Sequence, residues 1–107
     1  MALTTRQVEV LQAMAKAHAE ERWDETEIVS EGIVCYLGND RISWKTLNAF
    51  IDHVLVSLEG NGSFRRWTIN GTGLLVAKFP AIADKIWLTL RSGKPFTTDD
   101  EGNVIEI

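Results

Sequence analysis

A group of residues between positions 41 and 66 combines cationic, amide and aromatic side chains on a short length of chain. Lys45 can bond to the acceptor atoms of guanine or to phosphate, and Asn48 can pair with the edge of adenine. Arginines on either side can hold a phosphate backbone. These side chains have chemistry suited to contacts with double-stranded DNA. The candidate DNA-binding residues are Arg41, Trp44, Lys45, Asn48, Arg65 and Arg66.

Two observations oppose this interpretation. Asp52 shares a helical face with Lys45 and Asn48, and a carboxylate repels phosphate and accepts only from the amino group of cytosine. Surface arginines are also ordinary, and Arg66 could simply be a solvent-facing neighbour of Ser57 on the next strand. The site prediction therefore also depends on the charge of the surrounding segment.

Charge is distributed unevenly along the chain, although the net charge is −4. Residues 1–40 carry three cations and eight anions, residues 41–94 carry eight cations and three anions, and residues 95–107 carry four anions alone. The basic segment contains all of the candidate DNA-binding residues. A local basic surface attracts phosphate even when the whole chain is acidic.

Other chemistries lack the residue patterns they need. The candidate metal ligands His18, Cys35 and His53 have no zinc-like spacing. No serine lies in a nucleophile elbow, and no pair of acids has a base beside it. The Gly71-Thr72-Gly73 turn lacks the third glycine of a dinucleotide fingerprint. We therefore expect neither enzymatic activity nor a metal or cofactor.

Length and composition predict one small domain in a reducing compartment. The 107 residues suit one domain, and the single cysteine, Cys35, excludes an intrachain disulfide. No charged-then-apolar leader opens the chain. Apolar runs fall far short of the roughly 20 residues that a membrane helix needs. We expect a cytoplasmic protein with no membrane partner.

Three capping patterns predict the first three helices. Each combines a capping side chain with a polar residue three positions later, the arrangement that satisfies free backbone N–H groups at a helix start. These pairs are Thr4 with Gln7, Asp24 with Glu27, and Ser43 with Thr46. They predict helices near 5–21 and 25–37 and a third helix that begins at residue 44. The short link between the last two predicts a helix-turn-helix unit.

The segment 54–59 is compatible with two structures. Its apolar residues continue the stripe of the third helix, but Asn61-Gly62 is typical of a two-residue hairpin turn. Such a turn pairs residue 60 with 63 and sets Val54 opposite Ile69. We favour the hairpin, because it sorts most apolar residues of 54–59 and 64–69 onto one face, but a helix stays open.

The last third of the chain predicts two helices and a hairpin. Residues 74–77 form a short helix that ends before Pro80, and a second helix ends near Gly93. The acidic segment 95–107 has apolar stretches on both sides of a turn, which predicts a second small hairpin. We therefore divide the chain into a domain of residues 1–94 and a terminal hairpin or tail of residues 95–107.

Residues 4–78 resemble the winged helix-turn-helix superfamily. The resemblance is carried by Leu3 to Leu11 as the opening of the first helix, by Leu37-Gly38 and Ser43 to Leu47 as the turn into the recognition helix, and by Arg65 to Asn70 as the second wing strand. It implies an α+β, mainly helical fold with a three-helix core, a β-hairpin wing, further C-terminal helices and a small terminal hairpin.

The resemblance also implies a DNA-binding domain, in the form of a small transcriptional regulator. Its DNA contacts would be Arg41, Trp44, Lys45, Asn48, Arg65 and Arg66. Some four cations per chain predict weak binding by a monomer, so a homodimer is expected, formed by the last helix or by the edge of 104–107. The alternative is a protein-protein interaction module on the same scaffold without DNA binding. That module would use the acidic surfaces of the first two helices or a patch of Leu55 and Phe64.

Overall fold

The structure is a computed structural model that describes residues 3–59, 64–101 and 103–107, except the side chain of Glu106. Over these residues the fold is α+β, with four α-helices, a five-stranded antiparallel sheet and a separate two-stranded hairpin. The helices are α1 Thr5–Ala19, α2 Trp44–Asp52, α3 Gly71–Lys78 and α4 Ile82–Ser92. The strands are β1 Glu27–Glu31, β2 Val34–Leu37, β3 Asp40–Ile42, β4 Val56–Glu59, β5 Phe64–Ile69, β6 Phe96–Thr98 and β7 Val104–Glu106.

The prediction of a mainly helical, three-helix core is wrong, because the core is built around the sheet. Its strands lie in the order β3-β2-β1-β5-β4, so β1 is the central strand. Alternate residues of the sheet are buried on one face, as the side-chain period of two requires. These are Ile28, Ser30, Cys35, Ile42, Val56 and Ile69. The apolar ones form a single core with apolar residues of all four helices.

The predicted helix over residues 25–37 is the largest error. The cap at Asp24 belongs to a single 3₁₀ turn, Trp23–Glu25, after which the chain forms the hairpin of β1 and β2. Gly32 supplies the positive φ of 61° between the two strands. The pattern 28–36 is also one of alternate burial, with Ile28, Ser30 and Cys35 inside. The predicted helix-turn-helix unit of residues 25–37 and α2 is therefore wrong, because its first helix is a hairpin.

The other predicted helices are confirmed with shifted ends. Thr4 and Gln7 form the predicted capping box of α1, and Ser43 caps α2 by accepting from the Thr46 amide at 3.2 Å. The short helix and the last helix are α3 and α4, and Gly93 ends α4 with φ of 74°. The small terminal hairpin is also present as β6 and β7.

Residues 56–59 form a strand, so the hairpin interpretation of this segment is correct. Helix α2 cannot continue, because Val54 adopts a positive φ of 56° and its carbonyl accepts a hydrogen bond from the Asn70 side chain at 3.0 Å. The register differs from the prediction by two residues, since Val56 rather than Val54 lies opposite Ile69. The predicted turn at Asn61-Gly62 lies outside the described residues.

Close backbone packing joins this hairpin to α3. The side-chain oxygen of Asn70 caps α3 by accepting from the Gly73 backbone N–H at 2.9 Å. The backbone N–H of Asn70 donates to the Leu55 carbonyl at 3.1 Å. A Cβ on Gly73 would lie 2.3 Å from that carbonyl oxygen. Glycine is therefore required here by close approach to the backbone.

None of the described helices is long and apolar enough to cross a membrane.

Candidate nucleic-acid interface

Helix α2 is anchored by one face and leaves the other in solvent. It buries Thr46, Leu47 and Phe50 against the sheet, as its amphipathic sequence predicts. The opposite side is exposed along the length of the helix. This reading face consists of Trp44, Lys45, Asn48 and Asp52. The structure thus places three predicted DNA contacts on one exposed surface, together with the opposing Asp52.

A basic cleft lies at the N-terminal end of α2. Its volume is about 220 Å³, and it is lined by Arg6, Val10, Arg41, Ile42, Ser43 and Thr46. The free amides and the dipole at a helix start favour an anion, and two guanidinium groups add to that effect. Arg6 carries an ion pair to Glu9 at 3.8 Å, which partly offsets its charge.

Sequence reasoning missed Arg6, because it lies in α1, 35 positions before Arg41 of β3. No local pattern links the two residues. The first turn of α1 meets the end of β3 only in the folded chain, and both arginines then line the basic cleft.

Arg65 and Arg66, predicted to act together, face opposite sides of the sheet. Arg65 lies opposite Ser30, whose side chain is buried under the helices at 4% exposure. Arg66 lies opposite Val29 on one side and Glu59 on the other. Since paired residues share a face, only Arg65 is on the side that carries α2.

The side of the five-stranded sheet away from the helices is called here the open face. One row of paired residues crosses it from edge to edge: Arg41, Tyr36, Val29, Arg66 and Glu59. Tyr36 is 45% exposed and Phe64, on the same face, is 59% exposed. None of these residues belongs to the described core or packs against it. Arg41 is on edge strand β3, from which it also lines the basic cleft.

The interaction patch predicted from Leu55 and Phe64 does not exist. Leu55 is fully buried, because it packs into the core between α2 and β4, whereas Phe64 is exposed. An acidic surface of the second predicted helix is likewise ruled out, since residues 27–37 form strands.

The histidines and the cysteine have structural roles. His53 is buried, and its Nδ1 lies 2.8 Å from the Ala49 carbonyl at the end of α2. His18 makes an edge contact with the Trp23 ring. Burial raises the pKa of the Cys35 thiol, and the charge of Arg41 opposes that shift. The described residues contain no group of three or more side chains that could hold a metal ion.

No family model matches this chain, and no curated protein or solved structure matches it either. The resemblance to the winged helix-turn-helix superfamily therefore stays a prediction, and its three-helix core is wrong for this chain.

Proposed function

We propose that this protein is a double-stranded DNA-binding domain that contacts the major groove through the reading face of α2. One observation carries the proposal: Lys45 and Asn48 are exposed beside Trp44 on a helix whose opposite side is anchored by Leu47 and Phe50. A major groove admits one α-helix, and lysine and asparagine are side chains that recognise base edges. A rigid anchored helix positions them better than a loop would.

Phosphate contacts would come from cations around the reading face. Arg6 and Arg41 line the basic cleft at the start of α2, and Arg65 lies on the helical side of the β4–β5 hairpin. These three cations lie on the side or edge of the sheet that carries α2. Three neutralised phosphates correspond to a slope of log affinity against log salt of about −2.7. Binding by one chain is therefore expected to be weak and strongly salt-dependent, as suits a small regulator.

The test is duplex binding measured by fluorescence anisotropy at about 50 mM and about 200 mM salt. The double variant K45A/N48A should weaken binding by at least about tenfold, because it removes both candidate base contacts. The matched control is K85A, which removes an exposed lysine from α4, away from the reading face. Circular dichroism checks that each variant is folded. Absence of duplex binding at the lower salt, or equal losses in K45A/N48A and K85A, would refute the proposal.

A further inference from the structure

The row of residues across the open face has an unusual order of chemistry. A cation, Arg41, occupies the β3 edge, and an anion, Glu59, occupies the β4 edge. Between them, Tyr36 and Arg66 flank Val29 of the central strand. Read from one edge to the other, the row is therefore a cation, an aromatic ring, an aliphatic residue, a cation and an anion.

If a second copy of the row is placed against the first in the reverse order, the side chains that meet have complementary chemistry. A two-fold axis parallel to β1 places the open face of a second copy against that of the first. In this arrangement β1 faces the partner's β1, β2 faces the partner's β5, and β3 faces the partner's β4. Residues at the same height along the strands then meet. Arg41 faces the partner's Glu59, Tyr36 faces the partner's Arg66, and Val29 faces the partner's Val29.

We propose that the open face is the interface of a homodimer with this two-fold symmetry. Two sheets can pack face to face about 10 Å apart with their strands within about 30°. The geometry gives each interface two ion pairs between Arg41 and Glu59. It also gives two contacts between the Tyr36 ring and the Arg66 guanidinium, a pair attracted by the charge distribution of the ring.

Apolar side chains beside the row supply the contact area. Val34 of β2 and Phe64 of β5 lie directly opposite Glu31 of β1, one on each side of it. The two-fold symmetry therefore brings Val34 against the partner's Phe64. Phe64 is 59% exposed in the single chain. A second copy would cover this ring, which is not part of the core and does not pack against it.

The size of the face predicts a weak dimer. Five strands spaced about 4.8 Å apart and up to six residues long give a face of roughly 19 by 20 Å. That is about half of the roughly 800 Å² per partner typical of stable complexes. We therefore expect a concentration-dependent equilibrium between monomer and dimer.

Two carboxylates on the central strand oppose the association. Glu27 and Glu31 share the open face with Val29, and the two-fold axis brings each close to its own copy. Like charges in this position are destabilising. The double variant E27Q/E31Q should consequently strengthen the dimer, a gain that loss of folding cannot imitate.

The dimer leaves α2 free, because the helices cover the other side of the sheet. Two reading faces would then point away from the interface. The proposal does not depend on DNA binding, and its test uses no DNA.

The test is sedimentation velocity over a range of protein concentrations, supported by circular dichroism of every variant. The wild type should shift from the 12.0 kDa chain mass toward twice that mass. R41E and E59R should each abolish the shift, and R41E/E59R should restore it. Residues 41 and 59 are on opposite edges of the sheet, about 19 Å apart, so restoration has to occur between chains.

Several results would overturn the proposal. A wild type that stays monomeric at all concentrations would do so, as would a dimer that survives both single charge reversals. Weakening of the dimer in E27Q/E31Q would exclude the two-fold arrangement, because that arrangement brings these glutamates together.

Discussion

Arg65 and Arg66 are neighbours in sequence, but their side chains lie on opposite sides of the five-stranded sheet. Arg65 pairs with the buried Ser30, whereas Arg66 pairs with Val29 and Glu59 on the open face. This relationship separates two surfaces with different chemistry. The helical side carries most of the proposed DNA contacts, and the open face carries the proposed dimer contacts. Arg41, on edge strand β3, belongs to both sets.

R65A should weaken duplex binding by about three- to tenfold and reduce the steepness of its salt dependence by about one, because it removes one phosphate contact. R66A is the matched control, since it removes an identical charge from the adjacent position on the other face. Anisotropy is measured at concentrations at which the wild type sediments as a monomer. Equal losses in the two variants would show that the helical side has no special role.

D52N should strengthen duplex binding by about two- to tenfold. The change removes a carboxylate that shares the reading face with Lys45 and Asn48 and repels phosphate. It should also stabilise the last turn of α2 by about 0.3–1 kcal/mol, because an anion there opposes the helix dipole. The two effects are separated by anisotropy and urea unfolding. D100N, in an exposed turn, is the control for the change in net charge, and an equal gain in that variant contradicts the local explanation.

G73A should lower the free energy of unfolding by about 2 kcal/mol or more, since overpacking against a fixed backbone is destabilising. The added Cβ would lie 2.3 Å from the Leu55 carbonyl oxygen and 2.7 Å from the Ile69 side chain. G71A is the matched control in the same helix, because a Cβ there meets no atom within 4 Å. It should be neutral or stabilising by up to about 1 kcal/mol. Urea unfolding that shows equal effects in the two variants would contradict the close approach of α3 to Leu55 and Ile69.

The free energy of unfolding should decrease at alkaline pH in part through Cys35. Burial raises the pKa of this thiol in the folded chain, so the unfolded chain loses the proton first as the pH rises. Stability is then lost from the ordinary thiol pKa upward, with a slope of at most about 1.4 kcal/mol per pH unit. Urea unfolding between about pH 8 and about pH 10 measures this slope. C35A should be less stable overall but less sensitive to pH, and an unchanged slope in C35A would contradict the assignment.

Local signals in the sequence were sufficient for the helices that position the site. The caps at Thr4 and Ser43 are satisfied by residues three positions away, so each helix start is encoded within one turn. The exposed reading face of α2 also follows from a short amphipathic pattern. The Asn61-Gly62 pair and the sorting of apolar residues onto one face predict the hairpin of β4 and β5, but the observed register differs from the prediction by two residues.

The same local reasoning failed for residues 25–37. Asp24 and Glu27 form a helix-start pattern, but Ile28 and Ser30 are buried by pairing with β5, more than 30 residues later. The free energy of that pairing depends on contacts distant in sequence, and it overrides a capping preference of about 1 kcal/mol. The predicted helix-turn-helix unit is wrong for this reason.

The sequence by itself determined the helix starts, the exposed face of α2 and the basic character of residues 41–94, because each depends on neighbours within a few positions or on composition. The tertiary structure alone decided the central place of β1, the meeting of Arg6 with Arg41 in the basic cleft, and the division of Arg65 from Arg66. These features depend on which strands pair and in what register. The pairing of β1 with β5 joins segments more than 30 residues apart, and no local pattern encodes it.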